Sequence, residues 1–363
     1  MNILFISRAT LFSNPGGDTI QIINTAECLR KLGVQIDIRL TNEPIDYSQF
    51  DLIHFFNIIR PSDMLHHIKR SRKPYVVSTI FVDYYEYEKK NSKGIRKFIA
   101  GFFSSDTIEY LKVLTRSIVN NEKIISPSYI FLGQKKSVKK VILGARMLLP
   151  NSENEYRRLV SQYQIIQNYK IIPNGINESL FSHSEEIMTL KEDDLVICVA
   201  RIEPLKNQLN LINALNDTRF RLLIIGKPSM NQKEYYIKCK ERAASNISFI
   251  DYIPQGALVK YYAKAKVHVL PSWFETTGLS SLEAAAMSCN IVITDKGDAK
   301  EYFKDYAYYC DPESPESIFR AVKNAAAGLI SKELIQMIIS RYTWTVAAEK
   351  TLEAYKKILS ISV

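Results

Sequence analysis

The sequence is poor in the features that anchor metals, disulfides and membranes. Its 5 cysteines (Cys28, Cys198, Cys239, Cys289, Cys310) are far apart, odd in number and never form C-x-x-C, which argues against disulfide and zinc frameworks. Of 5 histidines only His66 and His67 are adjacent, H-E-x-x-H does not occur, and no D-x-D triplet is present to offer a divalent cation to a nucleotide diphosphate. No dedicated metal is expected. The longest apolar runs, such as Leu195–Ala200 and Ile99–Phe103, fall far below the roughly 20 residues a membrane span requires. No period repeats along the chain, which excludes solenoids and propellers. Met1 to Ser7 carry neither a basic leader nor a small-residue cleavage site and read as a first strand, so a cytosolic protein is expected.

What is present is a soluble-globular composition over 363 residues, enough for about two domains at roughly 150 residues each. The net charge is +10 and unevenly placed: 25 basic residues face 15 acidic ones before Pro173, while 23 of each follow. Much of the excess lies in three runs, Lys69 to Lys73, Lys89 to Lys97 and Lys135 to Arg146. The second leads into Ile95, Phe98, Ile99, Phe102 and Phe103, an apolar stripe at helical spacing. Two readings of Lys89–Phe103 stand open: an interfacial helix on an anionic membrane surface, or a core-facing helix with a solvated basic back. The basic runs are not interleaved with stacking aromatics, so no nucleic-acid partner is expected.

Short apolar strands alternate with helical stretches throughout, the pattern of parallel α/β sheets. Strands are predicted at Asn2–Ser7, Val34–Leu40, Leu52–Phe56, Tyr75–Ile80 and Met147–Pro150, then at Leu195–Ala200, Arg221–Ile225, Ile247–Ile250, Val267–Leu270 and Ile291–Thr294. A helix from about Thr19 to Leu32 follows Pro15-Gly16-Gly17 and closes at Gly33, suited to a left-handed cap. Further helices are predicted near 207–216, 232–245, 257–265 and 279–287. Ile171-Ile172 is read as a strand running into the Pro173-Asn174-Gly175 turn, a crossing point between domains. The expected domains are 1–172, 173–343, and a last helical segment 344–363.

Ligands of such sheets bind outside the carboxyl ends of the strands. Four segments of the second half lie there: Arg201 to Asn207, Gly226-Lys227-Pro228, Pro271 to Glu283, and Asp295 to Asp298. Arg201 and Lys206 bring two cations to one strand mouth. Gly278-Leu279 opens a helix, whose free N–H groups and positive dipole end suit a phosphate. Two cations and these donors suffice for a diphosphate without a metal. Phosphate would repel Glu275 and Glu283, so both are read as acceptors for hydroxyls, which points to a sugar nucleotide. Against this, Arg201 and Lys206 could form surface pairs with Glu203, and Glu275 could be a solvated loop acid. His54 is placed at a strand end, either structurally satisfied or facing the cleft.

In order along the chain, Gly16-Gly17, Pro150-Asn151-Ser152, Pro173-Asn174-Gly175-Ile176, Arg201 with Lys206, Glu275-x7-Glu283 and Tyr342-Thr343-Trp344 resemble glycosyltransferase family 4. The resemblance implies an α/β, GT-B fold of two facing Rossmann-like domains, with a C-terminal helix returning to the first. It implies a retaining, metal-independent transfer from a nucleotide-diphosphate sugar to a glycan or lipid-linked acceptor in cell-surface polysaccharide assembly. Glu275 would bind the donor sugar, Glu283 the ribose, and Arg201, Lys206 and the Thr277-Gly278-Leu279 backbone the diphosphate. Tyr252 and Ile253 would read the base, with Gly226 and the Gly16-Gly17 loop also lining donor or acceptor. No separate cofactor is implied. Relatives often carry a histidine near the end of the fourth strand; here Asp83 stands in that run, and either it or the leaving phosphate takes the acceptor proton. Ser288 and Asp298 replace usual glycines. An epimerase, a phosphorylase-like enzyme, a non-catalytic binding or scaffold protein of this fold and a nucleic-acid binder using the basic first half are the rival classes.

Overall fold

The computed structural model describes residues 1–82, 105–119, 126–182 and 184–360. These form two compact units, one of residues 1–173 with 344–363 and one of residues 174–343.

The first unit begins with β1 (Asn2–Ser7), α1 (Gly17–Lys31), β2 (Gln35–Leu40), β3 (Leu52–Phe56), α2 (Pro61–Ser71) and β4 (Tyr75–Ser78). It continues with α3 (Ser105–Val119), α4 (Pro127–Gly144), β5 (Met147–Leu148) and α5 (Glu153–Tyr163). The five strands are parallel in the order β2-β1-β3-β4-β5. Ile3, Leu4, Phe5 and Ile6 are all buried, so alternate residues on both faces of β1 are covered, as a parallel sheet between helices requires. Helix α1 starts two residues earlier than expected. Gly16 caps it, its N–H donating to Thr19 Oγ1 at 3.0 Å, and Gly33 closes it at φ +84°.

Two predicted strands are shorter. β4 ends at Ser78, because buried Glu155 takes the Thr79 hydroxyl and the Phe81 N–H (2.8 Å), turning the chain through Ile80 at φ +43°. β5 keeps only Met147-Leu148. The expected strand at Ile171-Ile172 is not formed. Its segment runs beside β5 through Lys170 N–H to Leu148 O and Ile172 N–H to Pro150 O, and Pro150 and Pro173 withhold the donors that a longer ladder needs.

The second unit runs α6 (Glu185–Thr189), β6 (Glu192–Val199), α7 (Gln208–Leu215), β7 (Arg221–Ile225), α8 (Lys233–Arg242), β8 (Ile247–Ile250) and α9 (Gln255–Lys264). It completes with β9 (Ala265–Leu270), α10 (Leu279–Ala286), β10 (Asn290–Thr294), α11 (Ala299–Phe303), β11 (Tyr308–Cys310), α12 (Pro315–Ala327) and α13 (Lys332–Arg341). Its sheet is parallel, ordered β11-β10-β9-β6-β7-β8, one strand more than the sequence reading assigned. The order reverses between β6 and β9, and the crevice at the carboxyl ends of such a pair is where doubly wound sheets hold ligands. Helix α14 (Trp344–Ser360) then rejoins the first unit, packing along α1.

Candidate active site in the second unit

Arg201 to Lys206 leave β6, and Pro271 to Gly278 leave β9, so both segments meet at the strand-order reversal. The Trp273 N–H donates to Leu205 O at 2.9 Å and ties the two loops together. Across this tie Lys206 Nζ donates to Glu275 Oε1 at 2.5 Å, and Ser272 Oγ donates to the same oxygen at 2.5 Å. Glu275 is buried, its side chain only 6% exposed, so the solvated-loop reading is wrong. Glu275 Oε2 accepts no hydrogen bond from the described residues. An ammonium carries three donors, so Lys206 keeps two protons beyond the one spent on Glu275.

The backbone of Glu275 is fixed by the loop after β10. Its N–H donates to Lys296 O at 3.1 Å, and its carbonyl accepts from Asp298 N–H at 2.8 Å. Between them Gly297 lies at φ +98°, where a Cβ would stand 2.1 Å from Glu275 O. Asp298 is buried at this contact. Thr277 is buried with its Oγ1 accepting from Asn174 Nδ2 at 3.1 Å. Gly278 adopts φ +71° and caps α10, whose first residue is Leu279. Ser288 lies at φ +62° just beyond the end of that helix, the backbone conformation a glycine takes most easily there.

Arg201 is half exposed and pairs with Glu203 at 3.2 Å, as the surface-pair reading allowed; Ser229 Oγ donates to the other Glu203 oxygen at 2.5 Å. Lys206 forms its side-chain pair with Glu275 instead of Glu203. Gly226 has a structural reason of its own, since a Cβ would lie 1.9 Å from Ala200 O. Tyr252 is exposed, with Lys227 Nζ 5.3 Å from its ring centre, and Ile253 is half-buried.

Glu283 sits inside α10, buried, with Oε1 accepting from Gln255 Nε2 at 2.5 Å and Oε2 from the Tyr262 hydroxyl at 3.0 Å. Burial pushes its carboxyl up to about 7, against the partial offset of those two hydrogen bonds. Burial and the neighbouring carboxylate raise Tyr262 well above the usual phenol range, so it stays a donor.

Gly16 and Gly17 belong to the first unit. There Arg8 Nε donates to Asp18 Oδ2 at 2.7 Å and its other nitrogens hold Thr10 and Asn14, which fixes the glycine loop from beneath. His54 is mid-strand and buried, not at a strand end, and its nitrogens meet the Tyr355 hydroxyl (2.5 Å) and Ser78 Oγ (2.8 Å). Asp83 and the Lys89–Phe103 segment lie outside the described residues. Ser272, Gln255, Tyr262 and Asn174 were not assigned from sequence; Ser272, three positions before a loop glutamate, carried the only local signal. Among the described residues no group of three or more His, Cys, Asp or Glu side chains is placed to hold a metal ion. No described helix is long and apolar enough to cross a membrane.

Residues 182–358, just under half of the chain, match the family model of glycosyl transferases group 1. A D-inositol 3-phosphate glycosyltransferase of Acidothermus cellulolyticus is 24% identical over 246 residues, 61% of this chain and 55% of that protein. The chain thus spans about half the length of this curated relative. Sucrose-phosphate synthase from Thermosynechococcus elongatus has the same fold at a TM-score of 0.76 and 16% identity, covering 99% of this chain and all of that one. Anabaena HepE in complex with UDP-glucose gives a TM-score of 0.70 at 15% identity over 98% of this chain and all of that one. With its two parallel-sheet α/β units, the chain has the GT-B fold.

Proposed function

We propose that this chain is a retaining, metal-independent glycosyltransferase of the family 4 type, using a nucleotide-diphosphate sugar held by the second unit. The observation that carries the reading is the Lys206–Glu275–Ser272 cluster at the β6/β9 reversal, beside the opening of α10. Lys206, with two protons to spare, Arg201, and the N–H groups of Gly278 and Leu279 receive the diphosphate. Glu275 Oε2 accepts from hydroxyls of the donor sugar, and Glu283 from the ribose. Tyr252, Ile253 and Gly226 line the base, and Gly16-Gly17 the acceptor side. The match of residues 182–358 to glycosyl transferases group 1, and the bound UDP-glucose of HepE, support a nucleotide-sugar donor.

In the transfer the bond from the sugar's anomeric carbon to the β-phosphate oxygen breaks, and a bond to the acceptor oxygen forms on the same face. The acceptor proton passes to Asp83 or to the departing phosphate. Negative charge grows on the diphosphate as the sugar becomes oxocarbenium-like, and positioned donors act most strongly on charge that develops in the transition state. The acceptor is a glycan or lipid-linked glycan of a cell-surface polysaccharide or lipopolysaccharide, met at the inner membrane face. Phe131, 88% exposed before the break of α4 at Gly133, and the exposed Lys135, Lys136 and Lys140 after it support docking on anionic lipid.

Nucleotide release from a panel of UDP-, GDP- and ADP-sugars in EDTA tests the reading. Release that disappears in Glu275→Ala and Arg201→Ala supports it; no release from any donor rejects it in favour of a non-catalytic binding protein. Flotation with phosphatidylglycerol vesicles tests the docking, which fails when the wild type stays unbound.

A further inference from the structure

The transfer chemistry leaves unused the groups behind Glu283. Its two oxygens are held by side chains of very different accessibility, both from α9. Tyr262 is wholly buried and donates to Oε2 at 3.0 Å, while Gln255, at the first position of the helix and half-buried, donates to Oε1 at 2.5 Å.

The buried end of this arrangement is fixed from the far side. Lys191, just before β6, directs Nζ at the carbonyls of Tyr262 (2.8 Å), Ala265 (2.9 Å) and Met287 (2.7 Å). A largely covered ammonium is tolerated when its protons are engaged, and three carbonyls, with the Cys289 sulfur at 3.5 Å, engage them here. Tyr262 and Ala265 lie at the end of α9, and Met287 caps α10, so one cation ties together the two helices that carry Tyr262 and Glu283. The Cys289 thiol reinforces the tie, donating to the Tyr262 and Ala265 carbonyls at 3.2 Å. The Tyr262 hydroxyl is thereby set against Oε2 by its own helix, by Lys191 and by Cys289. Gln255 has no such brace and stands nearer to solvent.

We infer that Tyr262 is a positioning residue that ties down Oε2 of Glu283 and aims Oε1 outward, and that Gln255 is a place-holder on Oε1 which a ribose hydroxyl of the donor replaces. The inference rests on the reading of Glu283 as the ribose acceptor. It makes the sugar of the nucleotide, not only its phosphates, a determinant of affinity. The ribose hydroxyl takes over the acceptor that Gln255 now holds and releases the half-exposed Gln255 amide to water, so a nucleotide lacking that hydroxyl forgoes one hydrogen bond that the ribonucleotide makes.

Calorimetric titration of the full chain with UDP, GDP and ADP, and with the 2′-deoxy and 3′-deoxy forms of whichever binds, tests this. The wild type is expected to prefer the ribonucleotide over one deoxy form by up to about 10-fold, the scale of one net hydrogen bond. Tyr262→Phe should weaken the ribonucleotide, leave that deoxy form unchanged and shrink the preference below about 3-fold. Gln255→Ala should tighten the ribonucleotide a few-fold. A folded Tyr262→Phe that keeps the full preference reduces Tyr262 to a packing role and overturns the inference. So does a Gln255→Ala that loses the preference, because Gln255 would then position Glu283. Gln255 is half exposed, so this arm decides even where Tyr262→Phe fails to fold. Failure of all three nucleotides to bind the wild type overturns the proposed function itself, and this inference with it.

Discussion

Lys206 and Glu275, 69 residues apart in sequence, form a 2.5 Å ion pair in which the carboxylate is almost wholly buried and the ammonium four-fifths covered. The pair joins the segment leaving β6 to the segment leaving β9, the two strands between which the sheet order reverses. It therefore holds these two segments together at the reversal. Its geometry is asymmetric: Lys206 and Ser272 both act on Oε1, which leaves Oε2 for an incoming group.

Removing one partner of a buried pair strands the other charge. Lys206→Met is expected to lower stability by about 3 kcal/mol in urea denaturation, and adding Glu275→Gln should recover most of it, because the uncompensated carboxylate is then gone. Donor turnover behaves differently. Either single change is expected to reduce kcat by ~10²-fold or more and the double change restores none of it, since in the proposed function both groups address the donor. Equal losses in stability for the single and double variants would contradict the pairing.

Gly297 offers a test of the backbone that carries Glu275. Alanine there must adopt φ +98° with its Cβ 2.1 Å from a carbonyl oxygen, so the loop must shift. Gly297→Ala is expected to cost about 2–4 kcal/mol and to reduce donor turnover sharply, by strain at a disallowed backbone conformation and by displacement of Glu275. Ala at Gly256, where a Cβ meets nothing within 4 Å, is the control and should change little.

The alternation of apolar strands with helices made the parallel α/β sheets legible, because strands such as β1, β3 and β10 are short apolar runs buried on both faces, whereas the GT-B arrangement was implied only by the family resemblance. Strands β1, β3, β7 and β8 stand at their expected places. The failures have particular causes. Ile80 resembles a strand residue in composition, yet Glu155, 75 positions away, turns it to positive φ. Strand β11 is only three residues, Tyr308–Cys310, too short to show a period. Residue types and positions put Glu275, Lys206 and Glu283 forward as candidates, but not how they are satisfied. Lys206 was weighed against Glu203 because that residue is near in sequence, and the loop tie at Trp273 brings Glu275 nearer in space. Gln255 and Tyr262 reach Glu283 from another helix, which no local pattern reveals.

Glu283 gives the second unit a distinctive pH response. An unfolded glutamate titrates near 4.5, whereas burial moves the folded group to about 7. Between these values the folded protein keeps a proton that the unfolded chain has lost, so this contribution is full below about pH 4.5 and declines as pH rises to 7. Glu283→Gln abolishes the titration. The stability of wild type relative to Glu283→Gln should therefore fall between pH 5 and 7 and level off above it. A difference independent of pH would show that the carboxyl is not protonated in the folded state.

His54 in the first unit titrates with the opposite sign. Burial depresses its imidazole to about 3, so between there and the ordinary value near 6.5 the unfolded chain binds a proton that the folded one refuses. Its contribution is complete above pH 6.5 and is lost as pH falls toward 3, at up to about 1.4 kcal/mol per pH unit. His67, depressed to about 4, acts in the same direction, so the response must be read as a difference between variants. The hydroxyl of Tyr355 on α14 meets His54 Nδ1, and Tyr355→Phe leaves that buried nitrogen unpaired at a cost of about 1–3 kcal/mol. The two tryptophans make the measurement possible, because Trp344 begins α14 in the first unit and Trp273 lies in the second. In a Trp273→Phe background, Trp344 fluorescence should report a lower urea midpoint for Tyr355→Phe at pH 7. Replacing His54 by Phe should flatten the acid limb between pH 6.5 and 4. An unchanged acid limb in His54→Phe would mean that the buried imidazole accepts its proton without unfolding, and that α14 is not held through a neutral histidine.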